Sequence, residues 1–215
     1  MAPSQAKESQ VLFDLSAGHP ALDLVNTLDY RFKPHGTVER LADYADLLRF
    51  AEQTRLLDAR TVRRLGSSVA PEAAARALRS ARQLREALAS ACYTVVNGRS
   101  PPEADILTLQ RHFHGASSHR ELRWEHAAED PEGRAGLRWR WGRFKIHAEL
   151  PVWILALAAR ELMTTGSLDR VRACAAETCR WLFLDTSKNH TRRWCDMKVC
   201  GNRMKAKRYQ ARQRP

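Results

Sequence analysis

The sequence predicts a mainly α-helical fold with a small β-hairpin, closed by a compact cysteine-rich module. Three observations predict it. Apolar residues recur at helical spacing through most of residues 20–166. Two short stretches, 120–127 and 136–142, alternate apolar and polar residues around a turn-rich EDPEG. Four of the five cysteines fall in the last quarter of the chain as C-x4-C-x15-C-x4-C. At 215 residues there is room for one medium domain and a small appendage. The boundary falls at Thr165, Gly166 and Ser167, giving a helical N-terminal domain over 11–166 and a C-terminal module over 171–215.

Each element has a local reason. Residues 1–10 are polar and read as disordered. Ala21, Leu22, Leu24, Val25 and Leu28 follow a Gly-His-Pro turn at helical spacing, which predicts a helix near 20–30. Apolar positions 41, 44, 47, 48 and 51 make an amphipathic helix over 41–54. Residues 58–68 form a short helix with Asp58 as N-cap. Residues 71–97 form a long helix entered through Pro71 and stopped by Asn97 and Gly98. Another proline-entered helix covers 101–116, and the hairpin follows. Residues 146–166 are apolar nearly all round, as in a central buried helix or an oligomer interface. Pro151 lies in its first turns, where proline is tolerated.

Charge is distributed unevenly. The chain carries a net +12 and a pI near 10.1. Residues 180–215 hold eleven Lys and Arg against two acids, so nine of the twelve net charges lie there. Such a tail calls for a polyanionic partner. The first residues lack the apolar core of a secretory signal. The longest apolar stretch, 150–159, is about 10 residues, too short to span a bilayer. The expected compartment is therefore the cytoplasm, without membrane contact, where thiols stay reduced and clustered cysteines favour a metal over disulfides.

Cys174, Cys179, Cys195 and Cys200 supply four soft donors in two short-spaced pairs, the pattern of one structural Zn2+ held tetrahedrally. RVRAC and RWLFLD (180–185) read as two strands beside the first pair. Trp181, Phe183 and Trp194 make a miniature core. Gly201 offers backbone freedom after the last ligand, and Asn202 caps a final helix over 203–213. The module is thus treble-clef-like. Four thiolates and one zinc would leave it at about +7. Its last helix has too few apolar residues to order itself, so a metal and a polyanion are its natural supports. Lys205, Arg208 and Arg212 share one face, flanked by Arg203 and Lys207, and Arg192 and Arg193 precede the third cysteine. These cations suit phosphates, or guanine edges in a major groove.

The stretch CAAETCRWLFLDTSKNHTRRWC followed by CGNR resembles the CGNR zinc-finger family, and GHPALDLVNTLDYR resembles the opening of the ABATE domain that precedes this finger in bacterial proteins. The resemblance spans essentially the whole chain. It implies a DNA-binding regulator of transcription, not an enzyme, with an N-terminal domain that senses a small-molecule effector or forms a homodimer. The four cysteines carry over as ligands, and Asn202 and Arg203 complete the name motif.

Asn26, Thr27, Tyr30 and Arg31 cluster at the end of the first helix, where Asn26 and Thr27 interrupt an apolar run. They form either an effector pocket or a buried hydrogen-bonded cap. Two further function classes stay open at this point: a His-Asn-His nuclease using Asn189 and His190, and an RNA-binding module.

Overall fold

The computed structural model describes residues 12–33, 36–129 and 133–213. The segment read as disordered, 1–10, and part of the EDPEG turn lie outside them. Helix α1 (Pro20–Asn26) starts where His19 Nδ1 accepts the Ala21 N–H at 3.2 Å and Pro20 takes a first helical position. It stops four residues earlier than its apolar spacing suggests. Thr27 Oγ1 turns back onto the Leu24 carbonyl at 2.7 Å, and Leu28 leaves the helix to pair with Glu39. The resulting two-residue ladder is β1 (Leu28–Asp29) and β2 (Val38–Glu39).

Helix α2 (Tyr44–Gln53) also begins later than its apolar pattern. Asp43 and Asp46 form a reciprocal capping box, which fixes the start and leaves the fully buried Leu41 in the approach to the helix. Helix α3 (Ala59–Ser68) is capped by Asp58 as expected, with Oδ1 accepting the Thr61 N–H at 2.8 Å. Helix α4 (Pro71–Val96) runs 26 residues and ends at Asn97 and Gly98, the latter at φ +70°. Helix α5 (Glu103–Ser118) leads into the hairpin of β3 (Glu121–Glu125) and β4 (Gly136–Arg140). In that ladder Leu122 faces Trp139 and Trp124 faces Leu137. The hairpin's outgoing strand stops at Arg140, and Gly142–Ile146 is a 3-10 turn rather than a strand end.

Helix α6 (Leu150–Thr164) takes the central position its composition demands. It packs on α1, α4 and α5, with Leu155, Ala156, Ala159 and Leu162 fully buried. A buried cation braces the same region. Arg85 on α4 forms a bidentate pair with Glu39 at 2.6 and 2.7 Å and donates to Thr27 Oγ1 at 3.1 Å. It thereby ties the end of α1 to β2.

The C-terminal module consists of β5 (Val171–Ala173) and β6 (Leu182–Leu184), antiparallel, followed by helix α7 (Asn202–Arg212). Alternation along β6 builds two cores at once. Leu182 and Leu184, with Val171, belong to the core formed by the helices. Phe183, between them, belongs to a second core with Ala176 and Cys174, Cys195 and Cys200. Trp181 and Trp194 pack against that second core, as the sequence suggests. No helix among the described residues is long and apolar enough to cross a membrane.

One buried acid gives the fold a pH signature. Asp23 is only 6% exposed and accepts the Ala17 N–H at 3.0 Å. Burial is the larger effect and pushes its carboxyl up to about 7. The folded state therefore holds a proton that the unfolded chain has released by about pH 4. Asp23's contribution is full below that pH and is lost as pH rises through about 7. Asp23→Asn keeps an acceptor for Ala17 and removes the titration. It is expected to flatten the stability profile between about pH 4 and 7 and to raise stability at pH 8 by about 2 kcal/mol. Urea melts of both proteins at several pH values check this; parallel profiles would refute it.

Candidate metal centre and basic helix

The four cysteines come together from two knuckles. In the first, Cys174 at the end of β5 donates its N–H to the Trp181 carbonyl at 2.8 Å. The Ala176 carbonyl accepts the N–H groups of Cys179 and Arg180 at 2.8 and 3.1 Å, and Arg180 closes the turn at φ +61°. In the second, the chain after Cys195 forms one wide helical turn, Met197–Gly201, that runs directly into α7. Its N-cap is Asp196, whose Oδ1 accepts the Val199 N–H at 2.9 Å. Asn202 is therefore not the cap that sequence spacing makes it. It lies already inside the helical run, because the turn carrying Cys200 supplies the first carbonyls.

Gly201 does not serve backbone freedom, since its φ is −61°, open to any residue. A Cβ there would press on the flexible, exposed Met197 side chain and lie 3.3 Å from Trp194 Cδ1.

The four Sγ atoms lie within 4.8 Å of one another. Cys179 to Cys195 and Cys195 to Cys200 are each 3.6 Å. A tetrahedral Zn–S4 centre with bonds of about 2.3 Å has edges of about 3.8 Å, so the quartet is positioned to bind one zinc ion. Cys174, Cys195 and Cys200 are buried, and Cys179 is half-buried. Hydrogen bonds from Cys179 and Cys195 pull the Cys174 thiol down. Donating to Cys174, together with burial, pushes the Cys179 and Cys195 thiols up. A divalent cation at the centre displaces those protons.

The residue-family comparisons agree with this geometry. A family model for the CGNR zinc finger matches residues 170–213, and the ABATE model, described as "putative stress-induced transcription regulator", matches residues 18–166. The chain belongs to the ABATE family. No curated protein matches it. Both descriptions that match are those of a regulator and a metal-binding finger, neither of an enzyme.

In this ABATE protein the cations near the zinc site divide into three sets. Arg192, expected at DNA, is half-buried and turned toward the second knuckle. It donates to the Trp194 carbonyl at 2.8 Å and to the Cys195 carbonyl, and its guanidinium lies 4.5 Å from the Phe183 ring centre. Its work is to brace the second knuckle.

Arg203 and Lys207, both exposed, lie on the side of α7 nearer the cysteine knuckles, the first at Cys200 and the second at Glu177. Arg203 Nη2 donates to Cys200 Sγ at 3.2 Å, and Lys207 lies 3.8 Å from Glu177. The helical repeat of about 3.6 residues puts these two on the side opposite Lys205. The outward set is Arg193, Lys205, Arg208 and Arg212, all exposed, with Arg193 beside the Trp194 ring; the uncharged Asn202 is exposed as well.

Arg203 is accordingly a partner of the metal's ligand. Arg203→Ala is expected to leave full zinc content at saturation while speeding zinc transfer to a chelator about 10-fold. An unchanged transfer rate would show that the contact does not tune the sulfur.

Asn26, Thr27, Tyr30 and Arg31 do not line one pocket. Asn26 Nδ2 donates to the Leu182 carbonyl at 2.9 Å and its Oδ1 accepts the Leu182 N–H at 3.1 Å. Thr27 is engaged by Leu24 and Arg85. Arg31 pairs with Glu86, and Tyr30, at φ +54°, carries Lys33 over its ring at 3.6 Å. The buried-cap reading of this cluster fits these contacts.

Sequence reasoning missed Asp185. It is fully buried and gathers the N–H groups of Ser187 and Arg192, both at 3.0 Å, so shaping the loop between the cysteine pairs. The Asp-Thr-Ser signal for such a turn is present in the chain. Also missed was a groove of about 990 Å³ between α4 and α5, lined by Arg79, Gln83, Arg111, His112 and Trp153.

Proposed function

We propose that this ABATE protein is a zinc-dependent DNA-binding regulator of transcription. The carrying observation is the outward face of α7. Lys205, Arg208 and Arg212 stand exposed on one side of a helix that buries none of its own residues and is anchored through Cys200 and Met204. Among the described residues no acid pairs with these three. Such a face, held by a metal rather than by a core, suits the phosphates of a duplex.

The zinc-loaded protein is expected to bind double-stranded DNA at about 50–100 mM salt and to lose that binding on chelation. Replacing Lys205, Arg208 and Arg212 by alanine should leave zinc content intact and lower the slope of log affinity against log salt by about 2.7. A slope unchanged by the triple substitution would move the contact surface elsewhere. Preference for RNA in direct competition would reassign the partner.

The nuclease reading gains no support. His190 donates from Nδ1 to the Asp185 carbonyl at 3.1 Å. Among the described residues, the cysteine quartet is the one group of three or more acidic, histidine or cysteine side chains close enough to hold a metal. For a small effector, the groove between α4 and α5 has room that the Asn26 cluster lacks. The cytoplasm is the compartment that suits a reduced zinc–thiolate regulator.

A further inference from the structure

The hairpin of β3 and β4 is turned the wrong way round for a free-standing ribbon. A two-stranded antiparallel ribbon in water keeps its apolar face on the protein and its polar face outward. Here the polar face is the more covered one. Glu121, Glu125 and Arg140 are half-buried, Arg140 pairs with Glu125, and Glu121 sits against Gly142. The other face carries Leu122, Trp124, Leu137 and Trp139, each 50–59% exposed. The register places all four on one side as two cross-strand pairs, Leu122 with Trp139 and Trp124 with Leu137. Four large apolar side chains in one contiguous patch make a candidate contact surface.

We propose that this face is covered by the same face of a second copy of the chain. Two features select that occupant. The first is symmetry. The register centres the ribbon's local two-fold axis between Arg123 and Arg138, and that axis exchanges Leu122 with Leu137 and Trp124 with Trp139. A surface that repeats under its own two-fold can meet an identical surface isologously, tryptophan over leucine, in a four-stranded sandwich.

The second is area. The quartet exposes roughly 450 Å² of apolar side chain, so a pair would bury at most about 900 Å² before the ribbon edges are counted, below the ~1,200 Å² of a stable interface and in the range of a weak, concentration-dependent dimer. Trp124 and Trp139 have the character of interface anchors. This pairing goes beyond the DNA-binding reading and does not depend on it.

The test uses the full zinc-loaded chain without DNA. Sedimentation over about 1–100 µM should show a monomer–dimer equilibrium. Trp124→Glu with Trp139→Glu should weaken it about 100-fold, as should Trp124→Lys with Trp139→Lys, and an equimolar mixture of the two variants should pair again. Hydrogen exchange on the unmodified chain gives a readout independent of how the variants fold. Amides of 121–125 and 136–140 should gain protection as concentration rises. A wild-type monomer at the highest concentration, a dimer that survives both double variants, or exchange in the hairpin that ignores concentration each overturns the proposal. Protection that arises only on adding anionic vesicles would assign the face to a membrane surface and equally overturn it.

Discussion

Replacing Cys200 by serine is expected to destabilise the whole chain, not only its last 45 or so residues. Three thiolates hold zinc far more weakly than four. Loss of the ion removes a binding free energy of order 10 kcal/mol from the knuckles. The consequence reaches further because β5 and β6 contribute Val171, Leu182 and Leu184 to the helical core. Zinc content should fall from one to near zero. The thermal midpoint read by helical circular dichroism should drop with it, in a single transition. A helical midpoint that stays at the wild-type value would show that the two strands hold themselves on α1 and α4 without the metal.

Asn26→Ala is expected to cost about 3 kcal/mol. The amide bonds both backbone groups of Leu182, and Asn26 is 5% exposed while Leu182 is fully buried. Alanine would strand one buried N–H and one buried C=O, each worth about 1–3 kcal/mol when left unsatisfied. Urea unfolding of the zinc-loaded protein measures it. A loss below about 1 kcal/mol would mean that water replaces the amide at this seam. The same variant should bind zinc more weakly, although residue 26 is not a ligand.

Much of the architecture was legible before the structure. The long helices of the first domain carried their own apolar periods, and Asp58, Pro71, Asn97 and Gly98 marked ends that the backbone obeys. The cysteine spacing held the metal site complete, because the two knuckles are local turns. Helix beginnings and ends were misplaced where side chains overrode the apolar period: Asp43 and Asp46 moved the start of α2, and Asp196 moved that of the last helix.

The direction of the cations was only partly legible. Lys205, Arg208 and Arg212 share the exposed face that their spacing gives, whereas Arg192 and Arg203 look like phosphate ligands in a basic run but turn to carbonyls and a sulfur two or three residues away. The partner of Asn26 lies 156 residues away, beyond any local pattern. What read as an interrupted apolar run was the place where two distant segments meet.

The paired amide at Leu182 makes the metal and the first helix thermodynamically reciprocal. A molecule that shifts α1 at this seam and so changes the finger's affinity for zinc has its own affinity changed by zinc by the same factor. Zinc occupancy can thus be titrated as a gauge of any molecule whose binding shifts α1.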